Sequence, residues 1–438
     1  MGKFGKGNTE WFVKDRFGMF IHWGLYSMPA RHEWIRHKEK ITDEDYQKYF
    51  DHFDPDLFQP KEWAKAAREA GMKYFVFTTK HHEGFCMWDT KYTDYKVTNT
   101  PCGRDLVREV VDAFRAEGLK VGFYYSLIDW HHPDFITDNR VGPYRELSEE
   151  ELRKRNEGRD MKRYAKYMRD QVTELLTNYG RIDILWFDFS YPDPSGENNP
   201  EHGKGHLDWE SEELVKLIRS IQPEIILDNR LDLPDAGDIK TPEQYTPDQP
   251  LTNDDGTPAV WEGCQTFSGS WGYFRDEMSW KSPKQCIDML INHVSRGGNL
   301  LMNVGPTSRG YLDYRALNCL KAYGEWMKYN SRSIYGCTAA PAQYVEPKDC
   351  RYTWNPEKKT LYLHLMNWPF KHIHLPGLAG KVAYAQFLHD GSEVLMREKS
   401  NEVHSALNSS TPEAAVTLEL PVIKPNTEVP VVELFLKD

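Results

Sequence analysis

The stretch Arg181-Ile182-Asp183-Ile184-Leu185-Trp186-Phe187-Asp188 decides the fold. It is a short, mostly apolar run that ends in a carboxylate beside a Trp. Such a run suits a strand buried on both faces, as in a parallel sheet covered by helices. An acid at the C-terminal end of a parallel strand points into the mouth of an α/β barrel, where such folds do their chemistry. Taken alone, a strand-end Asp more commonly caps the following helix or turn. Its company in the rest of the chain decides between the two.

Outward from this run, similar short apolar stretches occur at 17–23, 74–79, 121–126, 225–229, 261–267 and 299–304. Helical patterns lie between them. In 60–71, Trp63, Ala66, Ala67 and Ala70 share a face and Gly71 marks the stop. In 161–180, Tyr164, Met168, Val172, Leu175 and Tyr179 recur at helical spacing before Gly180. Alternating strands and helices over this length predict an α/β fold, a (β/α)8-like TIM barrel. A Gly-x-Gly-x-x-Gly after the first strand, the main cue for a dinucleotide-binding sheet, is missing. Long excursions at 25–57, 127–160 and 231–259 follow strands, on the side where barrel sites are built. After about residue 340 the pattern changes to short runs with partial period-2 alternation and turn residues between them, which predicts a small C-terminal antiparallel β-sandwich. The expected division is a catalytic barrel over 1–338 and the sandwich over 339–438.

Composition narrows the function. The net charge of −11 disfavours nucleic acid and anionic membranes, which call for clustered Lys and Arg. Seven Cys without C-x-x-C pairs suggest reduced thiols rather than a disulfide framework or a zinc site. The N-terminus lacks the apolar core of a signal peptide, and Lys6 breaks the myristoylation pattern begun by Met1-Gly2. The expected location is cytoplasmic, or secreted or periplasmic if a leader has been removed. Homo-oligomerisation is compatible with the sequence.

The strand ends carry the chemistry. In chain order they are His22-Trp23-Gly24; Lys80-His81-His82-Glu83-Gly84-Phe85; Tyr124-Tyr125-Ser126 with Asp129-Trp130-His131-His132; Trp186-Phe187-Asp188; and Asp228-Asn229-Arg230. One polar strand end is commonplace, but five in succession, interleaved with Trp and Tyr, describe a polar pocket with aromatic walls suited to a sugar. Adjacent His on a strand point to opposite faces, so at most one of each pair is expected to face the site. No helix-borne H-E-x-x-H or thiolate cluster supports a metal. Asp188 suits attack on an anomeric carbon, with nearby Arg and His expected to hold its pKa low. The matching acid/base is either Glu243, in Lys240-Thr241-Pro242-Glu243-Gln244, or Glu262, in Trp261-Glu262-Gly263-Cys264. Glu243 would project from a loop over the barrel mouth, and Glu262 looks better placed to orient other groups. Spacing alone does not choose.

At these residues the chain resembles the α-L-fucosidases of glycoside hydrolase family 29. The matching pieces are Phe20-Ile-His-Trp-Gly-Leu-Tyr-Ser27, Glu33-Trp34, Lys80 to Phe85 with Trp88-Asp89-Thr-Lys-Tyr-Thr93, and Ile182 to Asp188. They continue through Thr241-Pro-Glu-Gln244, Trp261-Glu262, Ser270-Trp-Gly-Tyr273 and Asn299-Leu-Leu-Met-Asn-Val-Gly-Pro306. The resemblance implies an exo-acting retaining hydrolase that needs no cofactor and acts on a fucosylated oligosaccharide or glycoconjugate. It implies Asp188 as nucleophile and, from the Thr-Pro-Glu-Gln loop, Glu243 as acid/base, with Glu262 the fallback. His22, Glu33, Trp34, His81, His82, Tyr125, Trp186 and Arg230 would line the sugar site, and Trp271 would pack on the C6 methyl. Two positions depart from the family pattern. Phe189 stands where Gly usually follows the nucleophile, and Ile35 stands where Tyr usually follows Glu-Trp. The alternatives are a barrel glycosidase for another sugar, or a fucose-binding protein without catalysis.

Overall fold

The computed structural model describes residues 4–398 and 414–437; Met1 and Gly2 lie outside them. Among the described residues, seven parallel strands form one curled sheet: β1 (Phe17–Ile21), β2 (Tyr74–Lys80), β3 (Lys120–Ser126), β4 (Ile184–Asp188), β5 (Ile226–Leu227), β6 (Glu262–Thr266) and β7 (Asn299–Val304). Their order is β5-β4-β3-β2-β1-β7-β6. The gap between β5 and β6 is closed by the segment 239–243. It makes parallel bridges Asp228↔Ile239, Lys240↔Trp261 and Glu243↔Cys264. Backbone bonds Lys240 N–H to Val260 O (3.0 Å), Glu262 N–H to Lys240 O (2.9 Å) and Cys264 N–H to Pro242 O (3.1 Å) stitch it in. The ring therefore has eight staves. Glu243 ends one of them rather than projecting from a free loop, as the sequence had suggested.

The covering helices form for local reasons. Helix Leu106–Ala116 starts at Asp105, whose carboxylate accepts the Arg108 N–H at 2.8 Å. It buries Leu106, Val107, Val110, Val111, Ala113 and Phe114 on the side that meets the sheet, and Gly118 takes φ 76° just beyond its end. Burying each Val or Leu contributes about 1.5–3 kcal/mol, so a single Val110→Asp would remove that gain and strand a charge.

Inside the ring, residues of one parity meet. Phe20, Tyr74, Val76, Tyr124, Ile184, Trp186, Ile226, Cys264 and Leu301 pack as one cluster, while the opposite parity faces the helices in a larger core. This is the period-2 consequence of the pleat.

The C-terminal strands are antiparallel, as expected. One sheet runs β12-β15-β10-β9-β8 and the other β11-β14-β13, where β8 is Thr338–Ala339, β9 Cys350–Asn355, β10 Thr360–Leu365, β11 His372–Leu375, β12 Val382–Phe387, β13 Met396–Glu398, β14 Val416–Glu419 and β15 Val431–Leu436. They enclose their own apolar cluster around Leu361, Leu363, Val432 and Leu434. Contacts with the barrel include the Trp326 indole, which donates to Val429 O at 2.9 Å, and Arg351 Nε, which donates to Asn292 Oδ1 at 2.8 Å. All seven cysteines are unpaired thiols. Among the described residues no helix is long and apolar enough to cross a membrane.

Candidate functional site

At the C-terminal ends of the strands lies a cleft of about 410 Å³. It is lined by Phe20, His22, Trp34, His81, His82, Tyr124, Trp186, Asp188, Phe189, Arg230, Glu243, Cys264 and Trp271.

Asp188 closes β4 and is held from two sides. Tyr124 donates its hydroxyl to Oδ2 at 2.8 Å, and Arg230 Nη1 donates to Oδ1 at 2.9 Å. The same guanidinium reaches Glu243: Nη2 donates to its Oε2 at 2.9 Å. One planar fork thus holds both carboxylates. The fork itself is fixed, because Nε donates to Thr241 Oγ1 at 3.1 Å and Nη2 to Thr241 O at 3.1 Å. Its plane also lies over the Trp186 ring, 4.8 Å from the centroid. The Thr-Pro-Glu run therefore positions Arg230 as much as it supplies Glu243.

Burial pushes the Asp188 carboxyl up to about 6, against the pull of Arg230; Glu243 adds to the rise and the Tyr124 hydroxyl opposes it. The expectation of a low pKa is corrected here. The neighbouring histidines supply no positive charge, since burial pushes His22 down to about 3 and His81 and His82 well below the usual range. Asp188 is an anion above about pH 6 and a neutral acid below it.

The histidine tautomers follow from their partners. Asn303 Nδ2 donates to Trp271 O at 2.7 Å, so its Oδ1, 2.7 Å from His22 Nδ1, must accept. Ser126 gives its proton to Ile128 O at 2.7 Å, so its Oγ accepts from His82 Nδ1, also at 2.7 Å. Both rings then carry the proton on Nδ1, which leaves each Nε2 a lone-pair acceptor for a hydroxyl. His82 Nε2 stands 3.8 Å from Asp188 Oδ2.

Several sequence expectations change place. Tyr125 is not in the cleft: its hydroxyl donates to Gln171 at 2.8 Å, on the helix side of the sheet. The β3–β4 register sets Tyr124 beside Trp186 and Ser126 beside Asp188, so Tyr124 has the inward parity. Tracing that register back from Asp188 would have found it. His81 and His82 both line the cleft, because β2 stops at Lys80 and the following turn ends the alternation. His131 and His132 do not: His131 stacks on Tyr95 and His132 packs tilted against Tyr167, with ring centroids 3.8 and 4.1 Å away.

Glu33 sits behind the wall. Its Oε2 accepts from the Gly272 N–H (2.9 Å), the Trp271 N–H (3.1 Å) and Ser270 Oγ (3.2 Å), so it braces the Trp271 loop. Glu262 lies at the start of β6 inside the ring, fully buried, and accepts the Tyr74 hydroxyl. Burial pushes it up to about 8, with Tyr74 and then Trp186 pulling the other way. It does not line the cleft. Phe189 takes φ 79°, a left-handed conformation that costs about 1–2 kcal/mol for a residue with a Cβ. Among the described residues no three His, Cys, Asp or Glu converge so as to hold a metal ion.

Comparison with known proteins extends this picture. The family model described as alpha-L-fucosidase matches residues 5–332. The chain is 30% identical to human plasma alpha-L-fucosidase over 389 residues, spanning 82% of this chain and 76% of that protein. Its structure resembles alpha-L-fucosidase isoenzyme 1 from Paenibacillus thiaminolyticus with a TM-score of 0.89, at 47% identity, covering 98% of this chain and 99% of that one. A Bacteroides thetaiotaomicron alpha-L-fucosidase, solved as a trapped covalent intermediate with 2-fluoro-fucosyl fluoride, matches with a TM-score of 0.82 at 27% identity over 100% of this chain and 99% of its own.

Proposed function

The chain belongs to the alpha-L-fucosidase family, and on that premise we propose that Asp188 and Glu243 are its catalytic pair. It is a retaining α-L-fucosidase, a glycoside hydrolase that acts by double displacement. The observation that carries the residue assignment is the single Arg230 fork that grips both carboxylates in the cleft at the strand ends.

In the first step an Asp188 oxygen attacks the anomeric carbon while Glu243 gives its proton to the departing glycosidic oxygen. The product is a β-fucosyl-enzyme. In the second, Glu243 takes a proton from water, the water oxygen attacks the same carbon, and Asp188 leaves as a carboxylate. Arg230 and Tyr124 donate to Asp188 before substrate arrives, so the anion is already oriented for attack. His22 and His82 accept sugar hydroxyls through Nε2, and Trp34, Trp186 and Trp271 supply apolar walls. Trp271 is our choice for the C6 methyl, since it packs on Phe20 and His22 at the closed end. Glu33 supports that loop from behind.

The substrate is a terminal α-L-fucoside on an oligosaccharide or glycoconjugate. Release of nitrophenol from an aryl α-L-fucoside, compared with the galactoside and xyloside, tests the activity. Proton NMR of the first-formed sugar tests retention: the α-anomer is expected, and first-formed β-fucose would contradict the mechanism. A cytoplasmic location is part of our reading, supported by seven unpaired thiols. Cell fractionation checks it.

A further inference from the structure

The cleft has two unlike levels. Its closed end is built from side chains with 4% exposure or less, namely Phe20, His22, His81, Tyr124 and Trp186. Its rim is built from partly or fully exposed ones: Trp34, Phe189, Arg230 and Glu243. A sugar filling the closed end must pass its leaving group across that rim. The rim itself has two sides, divided by Asp188. Oδ1 faces Arg230, which carries Glu243; Oδ2, which accepts from Tyr124, is on the side of His82, 3.8 Å away, on which Phe189 packs with ring centroids 5.2 Å apart. Trp34 meets the same two rings at 5.1 Å each.

The ring of Phe189 is held there against local preference. At φ 79° the backbone suits glycine, and a Phe remains only because its surroundings fix it. One part of that fixing comes from the 127–160 excursion. Tyr191, which packs on Phe189 at 5.5 Å, donates its hydroxyl to Asp138 at 2.6 Å, and buried Lys204 donates to the same carboxylate oxygen at 2.6 Å. Backbone bonds between Tyr191 and Lys204, 2.9 and 2.8 Å, close the loop that begins at Phe189. The excursion therefore clamps the turn that aims the ring.

We propose that Phe189 is a specificity-determining residue: with Trp34 it forms an apolar ledge for the first leaving-group sugar and disfavours a branch beside the fucosyl bond. The ledge suits the C–H face of an unbranched pyranose, which stacks on an aromatic ring while its glycosidic oxygen turns toward Glu243. A second substituent on the neighbouring carbon meets the ring edge instead. This inference rests on the reading of Asp188 and Glu243 as the catalytic pair.

The test compares kcat/KM for an aryl α-L-fucoside, a linear fucosyl disaccharide, and a trisaccharide with the same fucosyl bond plus a branch on the adjacent carbon. The enzymes are the unaltered protein, Phe189→Gly and Phe189→Asn, the last because Asn tolerates positive φ should Gly loosen the turn. The branched-to-linear ratio is expected to rise about tenfold or more in both variants, mainly through KM. A ratio unchanged within about twofold overturns the proposal. So does an equal loss on all three substrates, which would mean that the ring only steadies the Asp188 backbone. If the unaltered protein cleaves none of the fucosides, the fucosidase reading itself fails, and this inference falls with it.

Discussion

Two acidic clusters share the inside of one barrel and do different things. The upper one joins Asp188 and Glu243 through Arg230, with Tyr124 alongside. The lower one joins Glu262 to Tyr74, which accepts from Asn299 Nδ2 at 3.3 Å, and Asn299 Oδ1 in turn accepts from Arg16 at 3.2 Å. Both use a carboxyl, a tyrosine and an arginine. In the upper cluster the guanidinium touches the carboxylates directly and solvent reaches Glu243, whose side chain is 42% exposed. In the lower, Asn299 stands between arginine and tyrosine, no solvent enters, and burial keeps Glu262 protonated to about pH 8. The same residue types become reactive or inert according to which partner touches the acid and whether water can reach it.

The contrast is broken most directly by deleting its acids one at a time. Asp188→Ala is expected to cut kcat/KM about 10⁴-fold or more, with azide restoring turnover and giving the β-fucosyl azide. Glu243→Ala should cost about 10²–10⁴-fold on poor leaving groups and far less on activated aryl fucosides, with a flattened acid/base limb in the pH–rate profile. Glu262→Gln should show no such dependence on the leaving group; if it does and Glu243→Ala does not, the two glutamates exchange roles.

A third test uses pH. Asp188 must be ionised to attack, so kcat/KM should fall as pH drops below about 6. Arg230→Gln removes a charge that holds this pKa down, and the limb should move to higher pH. The smallest effects are on stability. Asp188 and Glu262 have folded-state pKa values above their unfolded ones, so each costs stability as pH rises from the unfolded value to the folded one. Asp188→Asn should therefore gain thermal stability over the unaltered protein between about pH 4 and 6 and gain no more above that. For Glu262→Gln the gain should go on growing to about pH 8. Melting curves across this range separate the two.

The barrel was legible because its strands are apolar runs punctuated by helices, and the site because polar residues gather at strand ends. The stave at 239–243 is not legible in the sequence, since Lys240, Thr241, Pro242 and Glu243 carry no apolar signal; bridges to Asp228, Trp261 and Cys264 and the backbone bonds beside them define it. The family resemblance points to Tyr125, but the register that pairs Tyr124 with Trp186 gives the inward face to Tyr124, and the sequence of two adjacent tyrosines does not show which face each takes. His81 and His82 defied alternation because the strand had already ended. The raised pKa of Asp188 needed the depth of the cleft, which no local pattern records.

The central claim is that Asp188 forms the bond to the sugar. Incubation with 2-fluoro-fucosyl fluoride, proteolysis and peptide mass spectrometry tests it most directly. The label is expected on the peptide carrying Asp188, and to be absent from the Asp188→Ala protein. A label on Glu243 or Glu262, or one that persists in the Asp188→Ala protein, would contradict the account.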